Sequence, residues 1–407
     1  MARPTQGSNG MKERGPNTLA VHAGEVPDPV TGASAPNLVM SSTFALDEPA
    51  GFSINAFEGE RPYIYTRWGN PTVKMLEEKL AALEGAEDCV AFGSGMAATT
   101  AVLLAGLKAG DHLVMSDVNY AGTAELARST LPDYGIETTP VDTSDLGAVE
   151  AAMRPETRML WIETPANPIM RLTDIAAVAA IAAAHEVPLA VDSTFATPIA
   201  TQPLALGADF VVHSLTKYIG GHGDALGGAV LGSRERIEPL RTRPLVHFGG
   251  ALSPFNAWLI ARGAATLPIR MRTHEEGAMK VAAFLEDHPA VGRVNYPGLP
   301  SHPQQALAER QMANCSGTLS FQVHGDGAAL AARMAKQLEI IHYAVSLGHH
   351  RSLIYWIDTD AMMESTFHLE GEPLAGYRAF AGDGLFRLSV GLEDADDLCQ
   401  DLDRVLS

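Results

Sequence analysis

The segment Asp209-Phe-Val-Val-His-Ser-Leu-Thr-Lys-Tyr-Ile-Gly-Gly-His-Gly-Asp224 decides how this chain is read. A short apolar strand, Phe210 to Val212, runs into Ser214-Leu-Thr-Lys217 and then into a glycine-rich turn. A lysine placed there is partly desolvated, with room beside it for a ligand. Desolvation disfavours the ammonium form, so such a lysine can become a neutral amine able to condense with an aldehyde. Most lysines instead lay their stems along the surface and keep the charge in water, so the neighbours of Lys217 must decide. Upstream, Val187-Pro-Leu-Ala-Val-Asp192 has the composition of a buried parallel strand ending in a carboxylate, and the polar loop Ser193-Thr-Phe-Ala-Thr-Pro198 follows it. Ligands of open α/β sheets bind outside the carboxyl ends of the strands, which puts Asp192 and Lys217 at one crevice. Read alone, Asp192 is a helix N-cap after a strand.

Working outward, the short apolar runs Cys89–Phe92, His112–Met115, Met159–Ile162, Leu189–Val191, Phe210–Val212 and Gly228–Leu231 alternate with helical segments. That rhythm predicts an α/β fold, a mostly parallel central sheet sandwiched by helices. Pro71 to Leu83 has helical periodicity with Gly85 as its stop, and the alanine-rich stretch from Asp174 to His185 predicts a covering helix. Residues 1–70 carry many Pro and Gly and little periodicity, as an extended N-terminal arm would. Residues 71–268 are expected to form the large domain. Residues 269–407, with strands near Thr318–Val323 and Leu385–Val390, are expected to form a smaller α+β C-terminal domain.

Composition limits the function. At 407 residues and 46% hydrophobic the chain can bury two cores. A net charge of −19 argues against nucleic acid, which needs a basic footprint. Cys89, Cys315 and Cys399 are widely spaced without metal-type pairing, as expected of a reduced, cytoplasmic compartment. No apolar run is long enough to span a membrane. Met1 to Gly10 lacks the apolar stretch of a signal peptide and reads as a frayed tail.

A lysine and a carboxylate in one crevice point to pyridoxal 5'-phosphate: the lysine takes the aldehyde and the aspartate keeps the pyridine nitrogen protonated. Gly93-Ser-Gly-Met96, between an apolar run and a helical one, suits an anion at a helix N-terminus. With these features, Thr18-Leu-Ala-Val-His-Ala-Gly24, Tyr65-Thr-Arg-Trp-Gly-Asn-Pro-Thr72, Glu163-Thr-Pro-Ala-Asn-Pro168 and Arg387-Leu-Ser-Val-Gly-Leu-Glu393 occur in order. The chain thereby resembles the Cys/Met-metabolism (trans-sulfuration) family of pyridoxal-phosphate enzymes from about Asn17 to its C-terminus. That family includes cystathionine and methionine γ-lyases and homoserine-ester synthases.

The resemblance implies fold type I and a set of roles. The amides of Gly95 and Met96, with the hydroxyls of Ser214 and Thr216, hold the cofactor phosphate; the alternative for the hydroxyls is local turn bonding. Tyr120 stacks on the ring and helps the leaving group depart, and Asn167 bonds the ring hydroxyl. Arg387, with Ser346 nearby, clamps the substrate carboxylate. Tyr65 and Arg67 reach the neighbouring subunit's phosphate, making a homodimer the minimal active unit and a tetramer of two such dimers the expected assembly.

The chain also departs from family patterns. Methionine-lyase-like members carry a cysteine where this chain has Gly122, and animal-type cystathionine γ-lyases an acidic residue in place of Val345. Gly348-His-His-Arg-Ser-Leu-Ile-Tyr-Trp356 reads as an unusual loop after Ser346-Leu-Gly, and Asp360 to Phe367 replaces another family stretch. His349, His350 and Arg351 either recognise a polar distal group of the substrate, pack at a subunit contact, or stay solvated. Two adjacent histidines lack a third ligand at suitable spacing, so no metal is assigned. His213 reads as strand packing, His222 as part of the glycine turn, Trp161 as core and Trp356 as pocket wall. The implied activity is a carbon–sulfur γ- or β-lyase of a sulfur-containing amino acid. The alternatives are a γ-replacing synthase using an O-acylated homoserine and a cofactor-binding protein that has lost catalysis.

Overall fold

The computed structural model describes residues 14–47 and 63–407. The expected frayed tail at Met1–Gly10 and part of the expected arm lie outside the described residues. Seven strands form the larger sheet: β1 (Asp88–Phe92), β2 (His112–Ser116), β3 (Glu137–Val141), β4 (Thr157–Glu163), β5 (Leu189–Asp192), β6 (Phe210–Ser214) and β7 (Gly228–Gly232). Their order is β1-β7-β6-β5-β4-β2-β3. Strands β3, β2, β4, β5 and β6 pair in parallel, and β7 runs antiparallel to both β6 and β1.

Alternate residues along each strand enter opposite cores, the consequence of the two-residue strand period. Leu113, Met115, Trp161 and Val212 pack on one face with the helix Gly95–Gly106. Val114, Leu160, Ile162 and Val191 pack on the other, under the alanine-rich helix Ile175–Ala184. Asp174 caps that helix by accepting from the amide of Ala177. Gly85 ends the helix Pro71–Glu84 in the left-handed conformation, at φ +73°, where a residue without Cβ is least strained.

Five further strands form a second sheet: β8 (Val291–Asn295), β9 (Thr318–Val323), β10 (His342–Tyr343), β11 (Leu353–Asp358) and β12 (Gly384–Ser389), in the order β10-β11-β12-β9-β8. It has its own core around Phe321, Phe386, Leu388 and Leu402. Three expectations are corrected. Leu353 to Trp356 is strand, not loop, paired antiparallel to β12. Trp356 consequently packs on Phe386, with ring centroids 4.9 Å apart, within the second core rather than on the crevice wall. The arm holds a helix, Pro16–His22, whose Leu19 and Ala20 bury against Leu83. The buried Lys79 ammonium secures it, donating to the Ala20 carbonyl and pairing with Glu25 at 3.0 Å. Among the described residues no helix is long and apolar enough to cross a membrane.

Candidate active site

Parallel strands deliver their carboxyl ends to one edge of the sheet. There β4 ends in Glu163 and β5 in Asp192, which are register partners, and β6 ends in Ser214, three residues before Lys217. Both carboxylates are buried. Burial raises the Asp192 carboxyl, opposed by hydrogen bonds from Thr194 and by the charges of His213 and Lys217. Glu163 is held well above the usual carboxylate range by burial and then by the charge of Asp192. The two cannot both ionise at low cost so close together, and the upward push is the stronger on Glu163.

Lys217 is lowered from 10.5 to about 8, first by burial and then by the guanidinium of Arg387, with Asp192 pulling the other way. Its Nζ donates to Ser346 Oγ at 3.1 Å, and His349 Nε2 lies 3.3 Å from the same oxygen. Arg387, from β12, reaches across from the second sheet. It donates through one terminal nitrogen to Asn167 Oδ1 and through the other to the Ser346 carbonyl, both at 3.0 Å. Its Nε is buried without a partner. Burial lowers even this guanidinium, to about 10, with the charge of Glu163 among the opposing influences, because a buried cation is costly without an anionic partner.

The anion end of the crevice is a close approach of backbones. A Cβ on Gly95 would fall 2.9 Å from both Cβ and Oγ of Ser214, and one on Gly228 only 2.2 Å from the Ser94 carbonyl. Glycine at both positions lets the N-terminus of the helix Gly95–Gly106 rest on the end of β6. Its first-turn amides, those of Gly95 and Met96, have no acceptor within the helix. The Thr216 hydroxyl donates to the Gly227 carbonyl and accepts from the Gly227 amide, which is local turn bonding. Ser214 presents its hydroxyl to Gly95.

Tyr120 is 47% exposed at the crevice mouth. Its amide donates to Glu163 Oε2 at 2.6 Å, and the Asn167 amide donates to Glu163 Oε1 at 3.1 Å. One buried carboxyl thus holds both the tyrosine loop and the Asn167 turn, a residue for which the sequence reading named no role. Its signal was present: a carboxyl ending an otherwise apolar strand, one register from Asp192. The Tyr120 ring lies over Gly122, where a Cβ would come within 2.7 Å of it.

Other expected residues are dispersed. His350 donates its amide to the Gly221 carbonyl and accepts from Leu392, and its ring lies 5.6 Å from that of His222, so it braces the glycine turn. Arg351 is exposed. His213 pairs with the buried Glu84 at 2.8 Å. Arg67 donates to its own chain's Val246 carbonyl at 2.7 Å, with its guanidinium 5.5 Å from the Tyr65 ring centroid. It lines a cleft of about 740 Å³ with Trp68, Lys74 and Arg241, and Lys217, Asp192 and Arg387 are not among the lining residues.

This donor set fits pyridoxal 5'-phosphate and an amino-acid substrate: a lysine lowered to about 8, a buried carboxylate, a glycine cradle at a helix N-terminus and a buried guanidinium whose Nε has no partner. Residues 17–407 match the family of Cys/Met metabolism PLP-dependent enzymes. The chain is 43% identical over 393 residues to canavanine gamma-lyase of Pseudomonas canavaninivorans, covering 96% of this chain and 95% of that protein. It is 43% identical over 392 residues to cystathionine gamma-synthase of Mycobacterium tuberculosis, covering 96% and 97%. The crystal structure of metB from Corynebacterium glutamicum superposes with a TM-score of 0.88 at 39% identity, covering 97% of this chain and 98% of that one. The chain therefore belongs to the Cys/Met-metabolism family of enzymes, and its cofactor is pyridoxal 5'-phosphate.

Proposed function

We propose that the protein is a carbon–sulfur lyase that eliminates the γ- or β-substituent of a sulfur-containing amino acid, giving a 2-oxo acid, ammonia and a thiol. The observation that carries this is the convergence of Lys217, Asp192 and Arg387 on one crevice, with Lys217 lowered to about 8. Pyridoxal 5'-phosphate, when bound, supplies the aldehyde that takes up the substrate amine and the ring that accepts the electron pair at the α-carbon.

The chain's own residues do the rest. Arg387, oriented by Asn167, would hold the substrate carboxylate with its buried guanidinium, and Asn167 would bond the ring hydroxyl. Lys217 would take the α-proton and then carry protons at the β-carbon; an amine lowered to about 8 can both accept and return them. Tyr120, hung from Glu163 at the mouth, gives a proton to the departing sulfur. Asp192 keeps the ring nitrogen protonated, and the Gly95 and Met96 amides hold the phosphate with Ser214. Thr216 joins them once its Gly227 bonds rearrange, and Tyr65 and Arg67 complete the site of a second copy in a homodimer, two of which make a tetramer. We read residues 71–268 as the cofactor domain and 269–407 as the domain that brings Arg387. Three cysteines without disulfide partners support a reducing, cytoplasmic setting.

The relative named as a cystathionine gamma-synthase supports a second reading, γ-replacement on an O-acylated homoserine. Mass-spectrometric product analysis separates the two. The holoenzyme is given L-cystathionine, L-methionine, L-cysteine or O-acetyl-L-homoserine, each with and without sulfide or cysteine. Release of 2-oxobutanoate or pyruvate from the thioethers or the thiol, regardless of nucleophile, is the outcome expected of a lyase. Homocysteine or cystathionine formed solely from ester plus nucleophile would establish the synthase instead.

A further inference from the structure

We propose that His349 is a positioning residue for Lys217, acting through the hydroxyl of Ser346. The inference rests on the reading of Lys217 as the proton carrier and adds a group that fixes where its amine sits. Ser346 Oγ lies 3.1 Å from Lys217 Nζ and 3.3 Å from His349 Nε2. A hydroxyl has one proton to give, and an ammonium can only donate. With Lys217 donating to Ser346, the serine proton is left for the imidazole, and its lone pair is turned to the lysine.

The surrounding backbone is built to hold this chain of three. Ser346 has φ +88°, a conformation that costs a non-glycine residue free energy and persists where its surroundings impose it. Gly348, at φ +74°, sits directly on the lysine segment: a Cβ there would fall 2.6 Å from the Tyr218 amide nitrogen and 3.0 Å from the Lys217 carbonyl carbon. The His349 ring in turn lies on Gly223, where a Cβ would meet Cε1 at 2.7 Å and Nδ1 at 2.8 Å. The turn that follows Lys217 thus carries both the amine and the surface on which the imidazole rests.

The charged and titratable groups facing His349 are Lys217, His350 and Asp224, and Arg387 is held on the Ser346 carbonyl. Burial first, then the charges of Lys217 and His350, lower the imidazole below its ordinary 6.5, with Asp224 opposing. At neutral pH it is uncharged and accepts from Ser346. Protonated in more acidic solution, it can only donate, and the serine proton is no longer held away from Lys217.

The test compares wild type with His349→Leu, which removes the acceptor at similar size, and His349→Gln, which keeps one that does not titrate. The first readout is the pH midpoint of Lys217 in the apoprotein, taken from the rate at which added pyridoxal 5'-phosphate develops visible absorbance. Without an acceptor on His349, Ser346 is free to donate to the neutral amine. The Leu variant should therefore shift the midpoint down by about half a unit or more, while Gln leaves it in place. The second readout is deuterium exchange at the α-carbon of L-norvaline, which has no leaving group, followed by NMR in the holoenzyme. Leu should slow it ~10-fold at unchanged melting temperature, and Gln should stay within about threefold and lose the acid limb of the pH profile.

Equal effects of Leu and Gln, or none, would overturn the proposal. If the Leu variant does not fold, an acid limb that persists in Gln overturns it and one that vanishes supports it. A wild type that exchanges no α-proton would sink the reading of Lys217 as the base, and the apoprotein midpoint would still decide the role of His349.

Discussion

Burial brings Lys217 from 10.5 to about 8, so at neutral pH the apoprotein still holds the cation, at a cost that the unfolded chain does not bear. The unfolded chain binds that proton more tightly than the folded one. Stability therefore rises with pH between about 8 and 10.5, and below 8 the full penalty is present. Lys217→Met should then stabilise the apoprotein at pH 7 by on the order of 1–3 kcal/mol, even as it abolishes turnover. The gain should shrink as pH climbs from 8 toward 10.5, which thermal melts across that window would check. A gain that did not vary with pH would mean that side-chain packing, not charge, is responsible. Asp192 and Lys217 were readable from sequence because the first ends an apolar strand and the second follows one by three residues. Glu163 ends one too, but its partners are the backbone amides of Tyr120 and Asn167, which no side-chain pattern announces.

At the scale of elements, the anion end depends on how closely the helix Gly95–Gly106 approaches β6. Gly95→Ala would place a Cβ 2.9 Å from two atoms of Ser214 and push the helix N-terminus outward. The expected cost is about 1–3 kcal/mol of stability. Binding of pyridoxal 5'-phosphate should weaken by ~10-fold, since amides aimed at a phosphate act over short distances. Absorbance titration of the apoprotein measures the second effect separately from the first. An unaltered dissociation constant would remove this helix end from the phosphate site.

Which elements were readable follows from burial. Strands β1, β2, β4, β5, β6 and β7 are nearly uniform apolar runs, covered on both faces. Strand β3, Glu-Thr-Thr-Pro-Val, is an edge strand exposed along much of its length and carries no such run. Strand β11 begins buried at Leu353 and Ile354 but ends exposed, so its pattern merges with the histidine loop before it.

On the scale of the whole molecule, the arm is the part that a single chain leaves unexplained. Val26, Val30, Met40 and Tyr65 are exposed apolar side chains on it, Val30 to 90%. Arg67, proposed above as a phosphate partner, lines a cleft whose lining residues do not include Lys217, Asp192 or Arg387. Both observations fit an arm that serves a second copy of the chain, and that arrangement makes a prediction about mixtures. Arg67→Ala removes the donated guanidinium, and Lys217→Ala removes the amine of its own site. Each homodimer should be nearly inactive. In a mixed dimer, one crevice receives Lys217 from the first chain and Arg67 from the second, and is complete. Symmetric pairing of equal amounts makes half the dimers mixed, each with one intact site of two, so about a quarter of wild-type turnover per chain should return in the whole mixture and about half in the doubly selected dimers. Co-expression with two different tags, followed by activity measurement on the doubly selected fraction, tests this. If Arg67 served its own chain, each crevice of the mixed dimer would lack one of the two residues, and no activity would return.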